Sequence, residues 1–257
     1  MADELLVERA DGVVTVTLNR PAVLNAATPA TWEGLTEVVR EVKATRSDRV
    51  VVVTGAGDAF CSGADLSSFG DRSTDRLTSM RRVADAAAAI LRLPKPVIAK
   101  VNGVAAGAGA NLAFCCDLVV AADTARFCEI FAKRGLSVDF GGSWVLPRRV
   151  GLHKAKELVL LADMISAEEA AQIGLVNKVV ARAELDAAVD DWAARLAAGP
   201  PLALSLSKAL LNDSFAMSPE QALEAEGVAQ SHNFATDDIK EALAAWSEKR
   251  PPRFRGE

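Results

Sequence analysis

The sequence predicts an α/β fold that passes, toward its C-terminus, into a purely helical region. Three observations carry that expectation. Short Val-rich runs bounded by glycine alternate with longer segments of helical spacing from residue 13 to about residue 122. Beyond Asp139 the strand-like runs thin out and capped helical segments take over. A Gly199-Pro200-Pro201 break divides an expected core, residues 1–198, from a C-terminal helical region, residues 199–257, that would pack on the core or on a neighbouring subunit.

The first element is the strand "GVVTVTLNRP". Thr28 before Pro29 then caps a helix to about Ala44, with proline at its favoured first position. "RVVVVTGAG" reads as a buried strand, and "DAFCSGADLSSFG" as a glycine turn into a short helix. A polar segment "DRSTDR" leads into an Ala-rich helix ending near Leu93. "PVIAKV" is the next strand, "NGVAAGAGANLA" a small-residue turn opening a buried helix, and Leu118 to Ala122 a further strand. Downstream come a Ser166/Glu169 capping box, the strand-like "LVNKVV", and a helix from about Glu184 to the Gly-Pro-Pro break. Three helices follow, the middle one opened by Ser218-Pro219-Glu220-Gln221. Leu202, Leu206, Leu210 and Leu211 recur on one face, to be buried against the core or a neighbour.

Composition excludes several classes of function. The chain has 257 residues, half of them hydrophobic, and a net charge of −5. That is enough to bury a large core, and lysines and arginines are dispersed apart from the tail "EKRPPRFRG", so no nucleic-acid footprint is expected. No apolar run reaches the roughly 18 residues of a membrane helix, and the charged start is unlike a signal peptide, which together imply a cytoplasmic protein with no membrane partner. The four cysteines form no C-x-x-C pair and read as reduced core residues. His153 and His232 have no second ligand at metal spacing, so no metal is expected. "GGSWV" fails the nucleophile-elbow pattern.

The run "NGVAAGAGANLA" is the most informative stretch. Gly107 and Gly109 stand at a strand-to-helix turn with no side-chain bulk, where a ligand can meet bare N–H groups at a helix N-terminus and negative charge is favoured. A dinucleotide fingerprint would need glycine where Leu112 stands, and no phosphate-loop lysine follows. Close helix-to-strand packing without a ligand explains either glycine turn alone. It explains two less well.

"AFCSGADL", "PVIAKVNGVAAGAGANLAFCCDL" and "GLSVDFGGSWVLPRRVG", in this order and spacing, resemble the crotonase or enoyl-CoA hydratase/isomerase superfamily. So do "LNRPAVLNAAT", "ISAEEAAQIGLVNKVV" and "ATDDIKEALAAWSEKRPPRF", so the resemblance spans nearly the whole chain. It implies a crotonase-like spiral of ββα units with a C-terminal helical region, a homotrimer or dimer of trimers, and acyl-CoA thioester substrates whose enolate is stabilised. No cofactor beyond the CoA carried by the substrate is implied. The family pattern places the backbone N–H groups of Ala64 and Ala108 at the thioester oxygen. Ala108 stands where many relatives carry glycine, which requires a negative φ. Substrate contacts carried over by the resemblance fall on Ala22, Leu24, Ala26, Ser62, Gly63, Asp65, Leu66, Gly107, Asn111 and Phe131. The CoA phosphates are assigned to Lys249 or Arg250 of the tail.

Hydratases of this family use two glutamates, and the matching positions here are Asn111 and Phe131, neither of which transfers protons. Asp139 matches the single carboxylate of isomerase-type members. A competing reading makes it an N-cap before "FGGSW". Leu136, Val138, Phe140 and Phe131 around it would raise its pKa, as a proton shuttle requires. Glu129 is the reserve acid, its competing reading a surface strand residue; Asp65 reads as a helix N-terminal partner. The expectation is a Δ3,Δ2-enoyl-CoA isomerase, or the closely similar isomerase of ring-epoxide CoA thioesters, using Asp139. The alternatives are a hydratase or hydrolase using Asp139 or Glu129 with an ordered water, and an acyl-CoA-binding subunit that has lost its chemistry. Dehalogenation fits less well, because 5% aromatic residues with no Tyr offer little of an aryl cage.

Overall fold

Alternating Val and Thr residues make the opening segments strands. In the computed structural model, which describes residues 4–67 and 75–257, β1 (Leu5–Ala10) and β2 (Val13–Leu18) form an antiparallel hairpin. The sequence reading missed β1, whose "LLVERA" alternates weakly and lies at the edge of its sheet. The helix α1 (Pro29–Ala44) begins as expected, with the Thr28 side chain accepting from the Thr31 N–H. Next come β3 (Val50–Gly55), β4 (Ala59–Cys61) and α2 (Arg76–Arg92). The short helix expected after "SGAD" and the polar "DRSTDR" segment fall largely outside the described residues.

The same order then recurs: β5 (Val97–Val101), β6 (Val104–Ala106) and α3 (Ala108–Cys115), followed by β7 (Leu118–Ala122), β8 (Arg126–Cys128) and α4 (Gly142–Leu161). Each unit sends its first strand to one sheet and its second to another. β9 (Ile165–Ser166), α5 (Ala167–Gln172), β10 (Lys178–Val180) and α6 (Leu185–Ala197) complete the sheets. The large sheet runs β1-β2-β3-β5-β7-β10 and the small one β4-β6-β8-β9, parallel except at β1/β2 and β8/β9. This is the expected spiral of ββα units. Asn102 stitches successive turns together, its amide donating to the Gly55 and Gly57 carbonyls at 2.8 Å.

Period-two alternation sorts the core. Val51 and Val53 face the main apolar cluster with Trp32, Leu35 and Phe60, while Val50, Val52, Ile98 and Val120 face α6 through Leu185, Val189 and Ala193. Residues buried on both faces explain why "RVVVV" is a continuous apolar run rather than an alternating one. After the Gly-Pro-Pro break come α7 (Pro201–Asp213), α8 (Pro219–Phe234, with the Ser218/Gln221 capping box) and α9 (Asp237–Glu248). Within one chain Leu202, Leu206 and Leu210 are only half-buried, and Leu211 is 72% exposed. No helix of the described residues is long and apolar enough to cross a membrane.

Candidate active site

The two glycine turns of the sequence meet. After β4 the chain leaves the small sheet and bridges the loop that precedes α1: the Ala27 N–H donates to the Gly63 carbonyl and the Asp65 N–H to the Ala27 carbonyl, each at 2.8 Å. That pattern turns the intervening Ala64 N–H away from the loop. Ala108 opens α3, so its N–H has no acceptor within the helix. Among the described residues neither N–H donates to any group of the chain.

Glycine is required where these turns touch. Gly63 has φ +100°, and a Cβ there would lie 2.9 Å from the Ala106 carbonyl oxygen and 3.8 Å from the Ala108 nitrogen. A Cβ at Gly109 would collide with the Cys61 carbonyl. Ala108 itself is helical and outside the positive-φ residues, so its side chain meets the condition placed on it. Two free N–H groups therefore stand on neighbouring backbone at the positive end of α3.

The loop from Arg20 to Ala27 buttresses the first turn. Leu24 and Asn25 adopt left-handed φ values of 53° and 56°, held because the Asn25 amide donates to the Ala56 and Ala59 carbonyls and accepts from the Arg20 N–H. Arg20 reaches the Ala26 carbonyl and the Asp65 carboxylate, the latter at 2.8 Å. Asp65 also accepts from the Ser67 N–H and hydroxyl, and these bonds, with Arg20, hold its carboxyl below the usual range. Ser62 donates to the Leu24 and Val23 carbonyls. Leu24, Ala26, Ser62, Gly63 and Asp65 thus form one group, with Ala22 and Leu66 exposed at its rim. Arg20 and Asn25 were not singled out by sequence reading, although both lie in the quoted "LNRPAVLNAAT".

Side chains come from three other places. Asn111, fully buried on the first turn of α3, donates from Nδ2 to Glu129 Oε2 at 3.2 Å and to the Asp139 carbonyl at 3.0 Å. A Cβ at Gly142 would collide with the Asn111 amide, so the start of α4 presses directly on it. Glu129 follows β8 and is 3% exposed, which overturns its reading as a surface strand residue. Burial pushes its carboxyl up to about 8; the neighbouring Asp139 adds to this and the Asn111 bond opposes it.

Asp139 is half-buried, and burial raises its carboxyl to about 6. The N-cap reading fails: α4 is capped by Gly141, and no side chain serves that end. Of the residues expected to dry its surroundings, Phe131 and Phe140 are buried and Val138 is partly so, but Leu136 is 46% exposed. Phe140 carries φ 47°, with its ring tilted on Trp32 at 4.9 Å and its carbonyl accepting from the Cys115 thiol. The backbone beside Asp139 is therefore strained and held by packing. Oδ1 of Asn111, Oε1 of Glu129 and Oδ1 of Asp139 are buried with no hydrogen-bond partner. Phe131 lies against the turn, its ring within 3.7 Å of a Cβ built at Gly107.

Lys249 is exposed beyond the end of α9 and makes no hydrogen bond or ion pair to these residues among those described. Arg250 is paired with Glu241, at 2.5 and 2.9 Å, and with Glu248. All four cysteines are buried with raised pKa values, hence unreactive. Among the described residues no group of three or more His, Cys, Asp or Glu gathers as a metal site.

Comparison with known proteins places this geometry. The family model for enoyl-CoA hydratase/isomerase matches residues 8–257. The 1,2-epoxyphenylacetyl-CoA isomerase of Escherichia coli is 37% identical, over 95% of each chain, and the crotonyl-CoA hydratase of Syntrophomonas wolfei is 35% identical, over 98% of each. The crystal structure of an enoyl-CoA hydratase from Bacillus anthracis superposes with a TM-score of 0.94 at 32% identity, covering 99% of this chain and 100% of that one.

Proposed function

The chain belongs to the enoyl-CoA hydratase/isomerase family, and on that premise we propose that it is an enoyl-CoA isomerase with Asp139 as its proton shuttle. The observation that carries this reading is a half-buried carboxyl with one unpartnered oxygen, raised to about 6, in the site that also holds two unclaimed N–H donors. In a 3-enoyl-CoA the Asp139 carboxylate takes a proton from C2. The charge moves to the thioester oxygen, where the Ala64 and Ala108 N–H groups receive it, and the protonated Asp139 returns the proton to C4. The double bond then lies between C2 and C3. One proton has moved, and the chain's own groups and the CoA of the substrate suffice.

The oxyanion donors are the larger electrostatic contribution, since losing one costs about 10² to 10³ in rate in comparable sites. The loop bearing Ala22, Leu24 and Ala26, with Ser62 to Leu66, is the proposed seat of the CoA moiety. A homotrimer or dimer of trimers is part of the proposal, because Trp246, Leu211, Phe234 and Leu223 expose 66–82% of their surface in one chain. Light scattering at a multiple of the 27.1 kDa chain mass supports it, and a stable monomer overturns it. Lys249, exposed beyond the end of α9, is the proposed contact of a CoA phosphate.

A second reading, hydration, gains from one observation. The resemblance placed Asp139 alone, with Glu129 held in reserve, whereas Glu129 is buried beside Asp139, and the three unpartnered acceptors would suit an O–H donor such as water. The two readings separate on a 3-enoyl-CoA deuterated at C2. Isomerisation faster than hydration of the 2-enoyl product, with part of the label recovered at C4, is the expected outcome. Rapid formation of a 3-hydroxyacyl-CoA from a 2-enoyl-CoA without double-bond migration would transfer the assignment to hydration.

A further inference from the structure

Glu129 has no part in the proton path just described, yet it is a carboxyl sealed in the protein beside one that does. Its Oε2 receives one N–H of Asn111 while the other N–H of the same amide goes to the Asp139 backbone carbonyl. Both donors of Asn111 are thereby used, which fixes its orientation, and α4 presses on it at Gly142. Asn111 is a clamp between Glu129 and the strained Asp139–Phe140 segment, and Glu129 is the fixed end of that clamp.

We infer that Glu129 is a positioning residue for the proton shuttle: through Asn111 it anchors the Asp139 segment, and by keeping its own proton it holds the two carboxyls at a single negative charge. The inference rests on the shuttle reading for its kinetic consequence, though not for the state of Glu129 itself. The surroundings leave no other source of compensation. Cys128 on β8 and Cys115 on α3 are neutral thiols, and the Lys133–Asp163 pair, on the turn after β8 and beyond α4, is satisfied within itself at 3.2 Å. No cation contributes to the state of Glu129; Asp139 is the one charge that does, and it opposes ionisation. During turnover Asp139 gains the substrate proton and gives it back while Glu129 keeps its own, so the pair passes from one negative charge to none and returns. Loss of the Glu129 proton in alkali would place two negative charges side by side before proton transfer, on Glu129 and Asp139, and would leave Glu129 charged beside the enolate after it.

Two measurements on the full-length protein test this. In protein carrying ¹³C-labelled glutamate carboxyls, with the Glu129 resonance identified by its absence in Glu129→Gln, Glu129 should titrate near 8 and at lower pH in Asp139→Asn. This arm uses no substrate, so failure of the shuttle reading leaves it intact; titration in the ordinary range near 4.3, or a midpoint unmoved by Asp139→Asn, overturns the inference. The second arm follows kcat against pH with 3-hexenoyl-CoA. Glu129→Ala should lower kcat roughly tenfold with little change in KM, within the ~10²-fold that small misplacements of catalytic groups cost. Glu129→Gln, which can still accept from Asn111, should recover most of that loss and abolish the decline on the alkaline side. Equal behaviour of the two variants, or an alkaline limb that persists in Glu129→Gln, overturns the positioning role.

Discussion

Ala64 and Ala108 bring only backbone to the candidate site, whereas Asn111, Glu129 and Asp139 bring side chains that the fold must keep out of water. The backbone half is made by steric exclusion: glycines where two turns touch, no polar group left to charge, and an N–H pair that exists because the chain is too crowded to do otherwise. The side-chain half is made against electrostatic preference. Two carboxyls lie near one another with raised pKa values, and an amide whose own oxygen has no partner ties the Glu129 carboxyl to the Asp139 backbone carbonyl. What the difference teaches is where each half is vulnerable: the first to volume, the second to charge.

The widest break in that contrast should come from charge. Asp139→Asn removes the proposed base at nearly constant volume, so turnover should fall about 10² to 10⁴-fold while acyl-CoA affinity changes only a few-fold. Steady-state rates and calorimetric titration with the substrate read the two effects separately. A fully active variant would remove Asp139 from the chemistry and make Glu129 the next candidate.

Volume gives the next effect. Gly63→Ala adds one methyl at φ +100°, 2.9 Å from the Ala106 carbonyl, and must displace the Ala64 N–H from its place beside Ala108. A loss of about 10² to 10³ in kcat is expected, the cost of one oxyanion donor, together with a lower melting temperature. Should Gly63→Ala melt lower yet turn over at the native rate, the Ala64 N–H is no part of the oxyanion site.

These halves were not equally legible in the sequence. Crowded backbone leaves a compositional trace: "SGAD" and "AAGAGA" are short, small and placed after strands, and the structure brings Gly63, Ala64, Gly107 and Ala108 together as that trace suggests. The strands of the large sheet from β2 onward and the capped helices were equally visible, because apolar runs and Ser/Thr caps are local properties, whereas β4 and β6 lie in segments read as glycine turns. Burial of a charge is not local. Glu129 sits in "RFCEIF", which alternates like an exposed-edge strand, and only the approach of α3 and the Asp139 loop from 18 and 10 positions away seals it. Asn111 was read as a missing glutamate, whereas its actual bonding depends on two acceptors that no sequence window contains. The hairpin strand β1 was missed for a related reason: its apolar residues are sparse, and its identity comes from pairing with β2.

The smallest expected effect sharpens the comparison on stability rather than rate. Glu129 has an ordinary pKa of 4.5 unfolded and about 8 folded, so between those values the native state holds a proton that the unfolded chain has released. Stability contributed by the protonated carboxyl is complete below about 4.5 and is lost as pH rises toward 8. Asp139 adds the same sign over a narrower window, from 3.8 to about 6. Paired carboxylates act oppositely and elsewhere: Asp65 and Glu241, held low by Arg20 with Ser67 and by Arg250, lose their contribution only as pH falls below the ordinary carboxylate range. The interval from pH 5 to 8 therefore isolates the raised groups. One such group changes stability by at most about 1.4 kcal/mol per pH unit, or roughly 3 to 6 °C in melting temperature for a chain of this size. Glu129→Gln has no proton to lose, so its melting temperature should decline less steeply than the native protein's from pH 5 to 8, with the two curves diverging as pH rises. The backbone half predicts no such divergence, and Gly63→Ala should run parallel to the native curve at a lower level. If Glu129→Gln also runs parallel, Glu129 is ionised in the folded protein and the side-chain half of the candidate site is not held against charge.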